Sequence, residues 1–145
     1  MSHINIWIHL VWATKRRLPF LVAPHKVVII EHIQEYGLQK GIFVDRINGY
    51  RDHVHVLVSL GPTQSASKVV HLLQGESTYW INNIYKKLPY RFEWQMEYYA
   101  ASVDYKRVPA LRSYIDNQET HHKKIDVDEE IRLILSRDKT GAKTQ

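Results

Sequence analysis

Hydrophobic positions recur along this chain in two different periods. Residues 4–13, INIWIHLVWA, are rich in Ile, Trp and Val, which suits a strand, and they end in the basic turn TKRRLP. Over 24–39 the spacing changes, because Val27, Ile30, Ile33 and Leu38 recur at roughly helical intervals and Gly41 follows as a stop signal. Strand patterns return over 42–48 and 53–60, a pair that reads as a hairpin joined around Gly49 and closed by Gly61 and Pro62. Residues 65–86 are helical again, with Val69, Val70, Leu73, Trp80, Ile81 and Ile84 on or near one face and Thr63 or Ser65 as N-cap. Gly75 should weaken that helix unless another backbone or a ligand comes close. Residues 94–103, WQMEYYAASV, read as a fourth strand. Residues 108–124 read as a last helix, with Pro109 in its first turn and Lys123 and Lys124 at its negative end.

The order strand, helix, strand, strand, helix, strand, helix predicts an α+β fold: a ferredoxin-like βαββαβ sandwich with an antiparallel sheet and one additional C-terminal helix. A chain of 145 residues with 44% apolar positions suits one domain, assigned to 1–124. Residues 125–145, ending in the polar SRDKTGAKTQ, read as a partly mobile C-terminal extension. The chain has no apolar run of about 18 residues and no signal-peptide pattern, so a soluble protein of the cell interior is expected.

Charge adds a partner class. The formal net charge is +5, and residues 125–145 hold four basic and five acidic side chains, so the excess of positive charge lies in the first 124 residues. A basic body with 11% aromatics suits a polyanion such as nucleic acid, since cations displace condensed counterions and rings stack on bases. The alternative is a basic soluble protein without such a partner. The absence of cysteine excludes a disulfide framework, a thiolate metal site and a cysteine nucleophile.

The segment RDHVHVLVSL, residues 51–60, carries the most specific chemistry. In a strand, alternate side chains share a face, so His53 and His55 point one way and Val54, Val56 and Val58 the other. The valines can face helices while the imidazoles stand side by side on the open face, as two metal ligands or as two polar residues of a half-exposed strand. On the last helix Tyr114 and Gln118 are four residues apart and therefore neighbours, with His121 and His122 continuing that side. A tyrosine hydroxyl with a pKa of about 10 needs a base or a cation beside it to act as a nucleophile. The ordinary alternative for Tyr114 is packing between helix and sheet.

The motifs INGYRD before HVH, then GESTYWIN, FEWQMEYYAASV and YIDNQETHH, resemble in order and spacing the HUH single-tyrosine transposases of the smallest bacterial insertion sequences, a superfamily that includes REP-associated tyrosine transposases. The resemblance runs from Trp7 to His122, and a His-hydrophobic-His pair combined with a downstream Tyr-x-x-x-Gln is more specific than either part. It implies that His53 and His55 are metal ligands, Gln118 is the third ligand, and Tyr114 is the nucleophile. It further implies Mg2+ or Mn2+ as the cofactor, and as the substrate single-stranded DNA with a hairpin at the element's ends. The reaction implied is cleavage and rejoining through a 5′-phosphotyrosine, carried out by a cytoplasmic bacterial protein acting on the chromosome. A homodimer is implied too, with each tyrosine helix lying against the histidine pair of the other subunit.

EYYAASV departs from the small glycine often found after the first tyrosine in the family, and Tyr98 and Tyr99 read as packing or base-stacking residues. His121 and His122 suit either phosphate contact or a helix C-terminus. Lys15, Arg16, Arg17 and Arg51 are candidate phosphate contacts, with Lys68, Lys86 and Lys87 as further cations. Two other functions compete: a non-catalytic, domesticated protein of the same fold that binds single-stranded hairpins, and a metal hydrolase that activates water at the histidines.

Overall fold

The computed structural model describes residues 3–121 and 129–132. His122, Lys123, Lys124 and most of the segment read as a C-terminal extension lie outside the described residues. The elements are β1 (Ile6–Ala13), α1 (His25–Gln39), β2 (Phe43–Tyr50), β3 (His53–Leu60), α2 (Ala66–Trp80), β4 (Tyr99–Val103), α3 (Val108–Asp116) and the short α4 (Gln118–His121). The strands form one antiparallel sheet in the order β2-β3-β1-β4, which is the arrangement expected of βαββαβ connectivity.

Strand alternation divides the sheet into two unlike faces. Ile8, Leu10 and Trp12 of β1 and Val54, Val56 and Val58 of β3 are buried with Ile29 and Ile33 of α1 and Val69, Val70 and Leu73 of α2 in the main core. Burying each such side chain contributes roughly 1.5–3 kcal/mol, so this layer carries most of the hydrophobic stabilisation. On the opposite face Leu57 packs with Val108 and Ile115 of α3, flanked by Trp7, Val103, Leu111 and Tyr114. The histidines of β3 share that second face.

Four local expectations change. The hairpin does not turn at Gly49, which lies within β2; the loop is Arg51 and Asp52, with Arg51 in the left-handed region at φ 57°. Gly49 is required for another reason, since a Cβ there would lie 2.5 Å from the His53 carbonyl oxygen. The second helix starts at its Ser65 cap, whose Oγ accepts from the Lys68 amide, runs through Gly75, and converts after Trp80 into a π-helical turn over Ile81–Tyr85. Nothing approaches within 4 Å of the place a Gly75 Cβ would take.

The fourth strand begins at Tyr99, not residue 94, because Trp94 turns into the main core, where its Nε1 donates to Ser77 Oγ at 2.8 Å and its ring meets Trp12 and Phe92. Tyr98 packs against the main core, whereas Tyr99 meets the His9 ring edge-on at 5.9 Å. The last helix is interrupted at Asn117, whose backbone and side-chain nitrogens both donate to the Ser113 carbonyl. That break separates α3 from α4. No helix among the described residues is long and apolar enough to cross a membrane.

Candidate metal and tyrosine site

β3 holds His53 and His55 two residues apart, so both rings project from the face that α3 covers. The imidazoles are not on an open face as expected: their exposures are 1% and 0%, because α3 and the helical residues 129–132 lie over them. The ring centroids are 5.2 Å apart and the planes are inclined by 72°. Glu130, itself buried, approaches both: its Oε1 contacts His55 Nε2 closely and lies 3.7 Å from His53 Nε2. Ligand atoms of His53, His55 and Glu130 fall within 4.8 Å of one another, which makes them a possible metal-binding group.

Each ring is oriented from behind through its other nitrogen. Asp52 Oδ1 is 2.9 Å from His53 Nδ1, so a hydrogen on that nitrogen is donated to a carboxylate, while Nε2 faces Glu130. At His55 the corresponding partner is His9 Nε2, 2.9 Å from His55 Nδ1, on rings stacked 5.1 Å apart. Burial pushes the His9 pKa from 6.5 down to about 3, with the positive potential of His55 adding to the depression and Glu130 opposing it. His53 behaves differently. Burial lowers its pKa, but Asp52 and Glu130 outweigh that effect and hold it above the ordinary value.

The tyrosine reaches the histidines because α3 is fastened to the sheet on either side of it. Arg112 makes a two-point contact with Asp45 of β2 at 2.7 and 3.0 Å, and its guanidinium lies over the Trp7 ring. Asn48 of β2 donates to the carbonyls of Ile115 and Asp116, satisfying oxygens that the end of the helix leaves open. Between these anchors Tyr114 projects onto the site, its ring edge-on to His55 with centroids 5.7 Å apart. Gln118 is fully buried one turn later. Its Nε2 donates to the Tyr114 carbonyl at 3.1 Å, and its Oε1 has no hydrogen-bond partner among the described residues.

The candidate phosphate contacts collect at the end of the sheet where β3 begins. Thr14 donates its amide to the Asp52 carbonyl, and Leu21 and Arg51 exchange backbone hydrogen bonds, so the Lys15–Arg17 turn lies beside the β2-β3 loop. Lys15 pairs with Glu93 at 2.9 Å, and Arg17 approaches Asp52 at 4.0 Å. Arg16 and Arg51 are exposed, and Arg16 and Arg17 both have left-handed φ angles. Lys68, Lys86 and Lys87 are also exposed but are borne by α2 and the turn that follows it.

Sequence reasoning did not find Glu130, His9 or the anchors Asp45 and Asn48. Glu130 lies in the acidic run DVDEE, where charge masks any periodic signal, and His9 looks like one polar position in an apolar strand. Only the register, with Val11 opposite His55 and His9 opposite Leu57, makes His9 and His55 diagonal neighbours on one face.

The donor set fits a divalent cation. Two imidazole nitrogens and a carboxylate oxygen converge, a buried amide oxygen on Gln118 has no hydrogen-bond partner among the described residues, and the chain contains no cysteine thiolate. Comparison with known families matches residues 2–118 to the one described as "Transposase IS200 like". Among solved structures, a candidate transposase from Deinococcus radiodurans R1 is similar at a TM-score of 0.63 and 24% identity, over 81% of this chain and 93% of that one. A REP-associated tyrosine transposase bound to a REP hairpin is similar at a TM-score of 0.60 and 16% identity, over 86% of this chain and 76% of that one. At these identities the structural likeness shows a shared fold. Comparison with curated proteins found no match.

Proposed function

We propose that this chain, which belongs to the family of IS200-like transposases, cuts and rejoins single-stranded DNA through a covalent bond to Tyr114, at a metal centre built on His53 and His55. The observation that carries the reading is the placement of the Tyr114 ring against His55, beside a group of metal-type donors. A tyrosine in an ordinary helix–sheet contact has no need of such neighbours.

His53, His55 and Glu130 would hold the cation, Mg2+ or Mn2+, and the Gln118 amide oxygen, at the start of α4, would be a further donor. When bound, the cation neutralises charge on the phosphate oxygens and lowers the cost of attack. The chain's part is then to orient the nucleophile. Tyr114 Oη forms a bond to phosphorus as the P–O3′ bond breaks; the phenolic proton is given up, and the departing 3′-oxygen takes one to become a hydroxyl. The product is a 5′-phosphotyrosine and a free 3′-hydroxyl, which conserves the ester for rejoining without water or ATP. Arg16, Arg17, Arg51 and Lys15, which lie at the end of the sheet where β3 begins, would bind the backbone of the strand and contribute affinity that weakens with salt. A hairpin substrate is supported by the hairpin-bound relative.

The test is a denaturing gel after incubation with a single-stranded hairpin oligonucleotide and Mn2+. Covalent protein–DNA adduct is expected from the natural chain and not from Tyr114→Phe, while the variant still binds the DNA. Adduct formation by Tyr114→Phe would remove the assigned nucleophile. Cleavage without adduct would indicate a hydrolase, and binding without cleavage a non-catalytic hairpin binder.

A further inference from the structure

We propose that Tyr90 and Arg91 hold an unpaired nucleotide of the bound DNA strand, with its base stacked on the Tyr90 ring and its phosphates met by Arg91, Arg16 and Lys86. The inference deepens the single-strand reading given above and rests on it.

Two cavities meet at this pair. One, of about 530 Å³, has Lys15, Arg16, Phe20, Tyr90 and Arg91 in its lining. The other, of about 300 Å³, has Asn82, Lys86 and Leu88, and again Tyr90 and Arg91. Both fall in the range of roughly 300–1,000 Å³ found for small-ligand sites, and an unpaired nucleotide is a ligand of that size. Their charge selects an anion. Lys15, Arg16 and Arg91 outnumber the single carboxylate of Glu93 in the first cavity, and the second holds Lys86 and Arg91 with no acidic residue. Exposed aromatics beside excess cations suit a single strand, because the ring takes a base while the cations track the backbone.

The backbone beneath these side chains is fixed, although it forms no helix. Asn82, on the π-helical turn, donates its Nδ2 to the Phe92 carbonyl and accepts the Phe92 amide at Oδ1, both at 2.8 Å. The Lys15 amide donates to the Glu93 carbonyl at 3.0 Å, and the buried Phe92 ring lies 5.5 Å from that of Phe20. Tyr90, two residues before this anchor, is nevertheless 70% exposed, and the Arg91 side chain 77%. Among the described residues the Tyr90 ring stacks on no other ring and its hydroxyl has no hydrogen-bond partner. A tyrosine so placed adds little to the core and presents an aromatic face to a ligand. Arg16 lines one cavity and Lys86 the other, and both have left-handed φ angles, of 60° and 55°. Such angles are uncommon for these residue types and collect at ligand sites. The place also suits the strand's path. Thr14 donates its amide to the Asp52 carbonyl, beside His53, so DNA running from the histidines along the Lys15–Arg17 turn reaches Tyr90.

The experiment measures binding in chelator by fluorescence anisotropy, using a labelled DNA hairpin with unpaired oligothymidine flanks and the same hairpin with a blunt end. Tyr90→Ala should weaken binding of the flanked probe by about five- to 150-fold and leave the blunt probe unchanged. Tyr90→Phe, which keeps the ring, should bind both as the natural chain does. Arg91→Ala should reduce the slope of log affinity against log salt by about 0.7 for the flanked probe. Thermal melting checks that each variant is folded. Natural affinity of Tyr90→Ala for the flanked probe overturns the proposal, and so does an equal loss on both probes, which would put Tyr90 on the stem. Failure of the cutting reading looks different: a natural chain that binds the flanked probe but forms no adduct with Mn2+ loses Tyr114 as nucleophile and keeps the Tyr90 site. A natural chain that does not bind the flanked probe removes both.

Discussion

Burial holds the His9 imidazole at a pKa of about 3, so the folded chain cannot take the proton that an unfolded histidine takes below about 6.5. Its contribution to stability is therefore complete above pH 6.5 and falls by about 1.4 kcal/mol per pH unit below it. His53 has the opposite sign: its raised pKa gives a contribution that is complete below 6.5 and is lost as the pH climbs through the folded value. In chelator, denaturant unfolding between pH 5 and 6.5 should show stability falling toward acid, and His9→Gln should flatten that limb. An unchanged slope in the variant would mean that His9 is solvated. Metal affinity separates the two possible carboxamide and carboxylate donors. Glu130→Ala is expected to weaken Mn2+ binding about tenfold or more, and Gln118→Ala to weaken it less, as measured by calorimetry. Normal Mn2+ affinity in Glu130→Ala would leave Gln118 as the third donor. At this scale the sequence revealed the histidine pair and the Tyr-x-x-x-Gln spacing because the members of each lie within a few residues of one another. It concealed His9 and Glu130, whose partners are distant in the chain.

At the scale of elements, the two interior glycines illustrate how much depends on neighbours. Gly49 lies against the β3 backbone, with the His53 carbonyl oxygen 2.5 Å from an added Cβ, while Gly75 faces open space in α2. Gly49→Ala is therefore expected to cost about 1–3 kcal/mol through overpacking, and to weaken Mn2+ binding by displacing His53. Gly75→Ala should stabilise by roughly 0.5–1 kcal/mol, because alanine is the better helix former and nothing obstructs it. Chemical denaturation of both variants checks the contrast, which equal effects would refute. The positions of all four strands and of the first two helices follow from periodicity, since two-residue and helical repeats survive in any context that buries one face. The element ends do not. Trp94 leaves the strand to reach Ser77 and Trp12, and the last helix stops at Asn117, choices set by tertiary partners.

For the whole molecule, the central question is which chain supplies each half of the site. The resemblance implies a homodimer that shares its sites, whereas here Tyr114 lies against His55 of its own chain. These arrangements differ in a mixing experiment: Tyr114→Phe combined with His55→Ala restores adduct formation only where the halves come from different subunits. With the within-chain arrangement the mixture is expected to stay inactive, and recovered adduct would show exchange. The strand-helix order and the alternation of β3 sufficed to predict an antiparallel α+β fold and to set His53 and His55 apart from the valines, because both depend on local repeat lengths and on the two-sidedness of a strand. Only the tertiary structure decided that this second face is covered, that Asp45 and Asn48 hold α3 so that Tyr114 meets His55, and that His9 and Glu130 complete the surroundings of the pair. Those contacts join residues tens of positions apart, and their distances are set by register and helix docking, which no local pattern encodes.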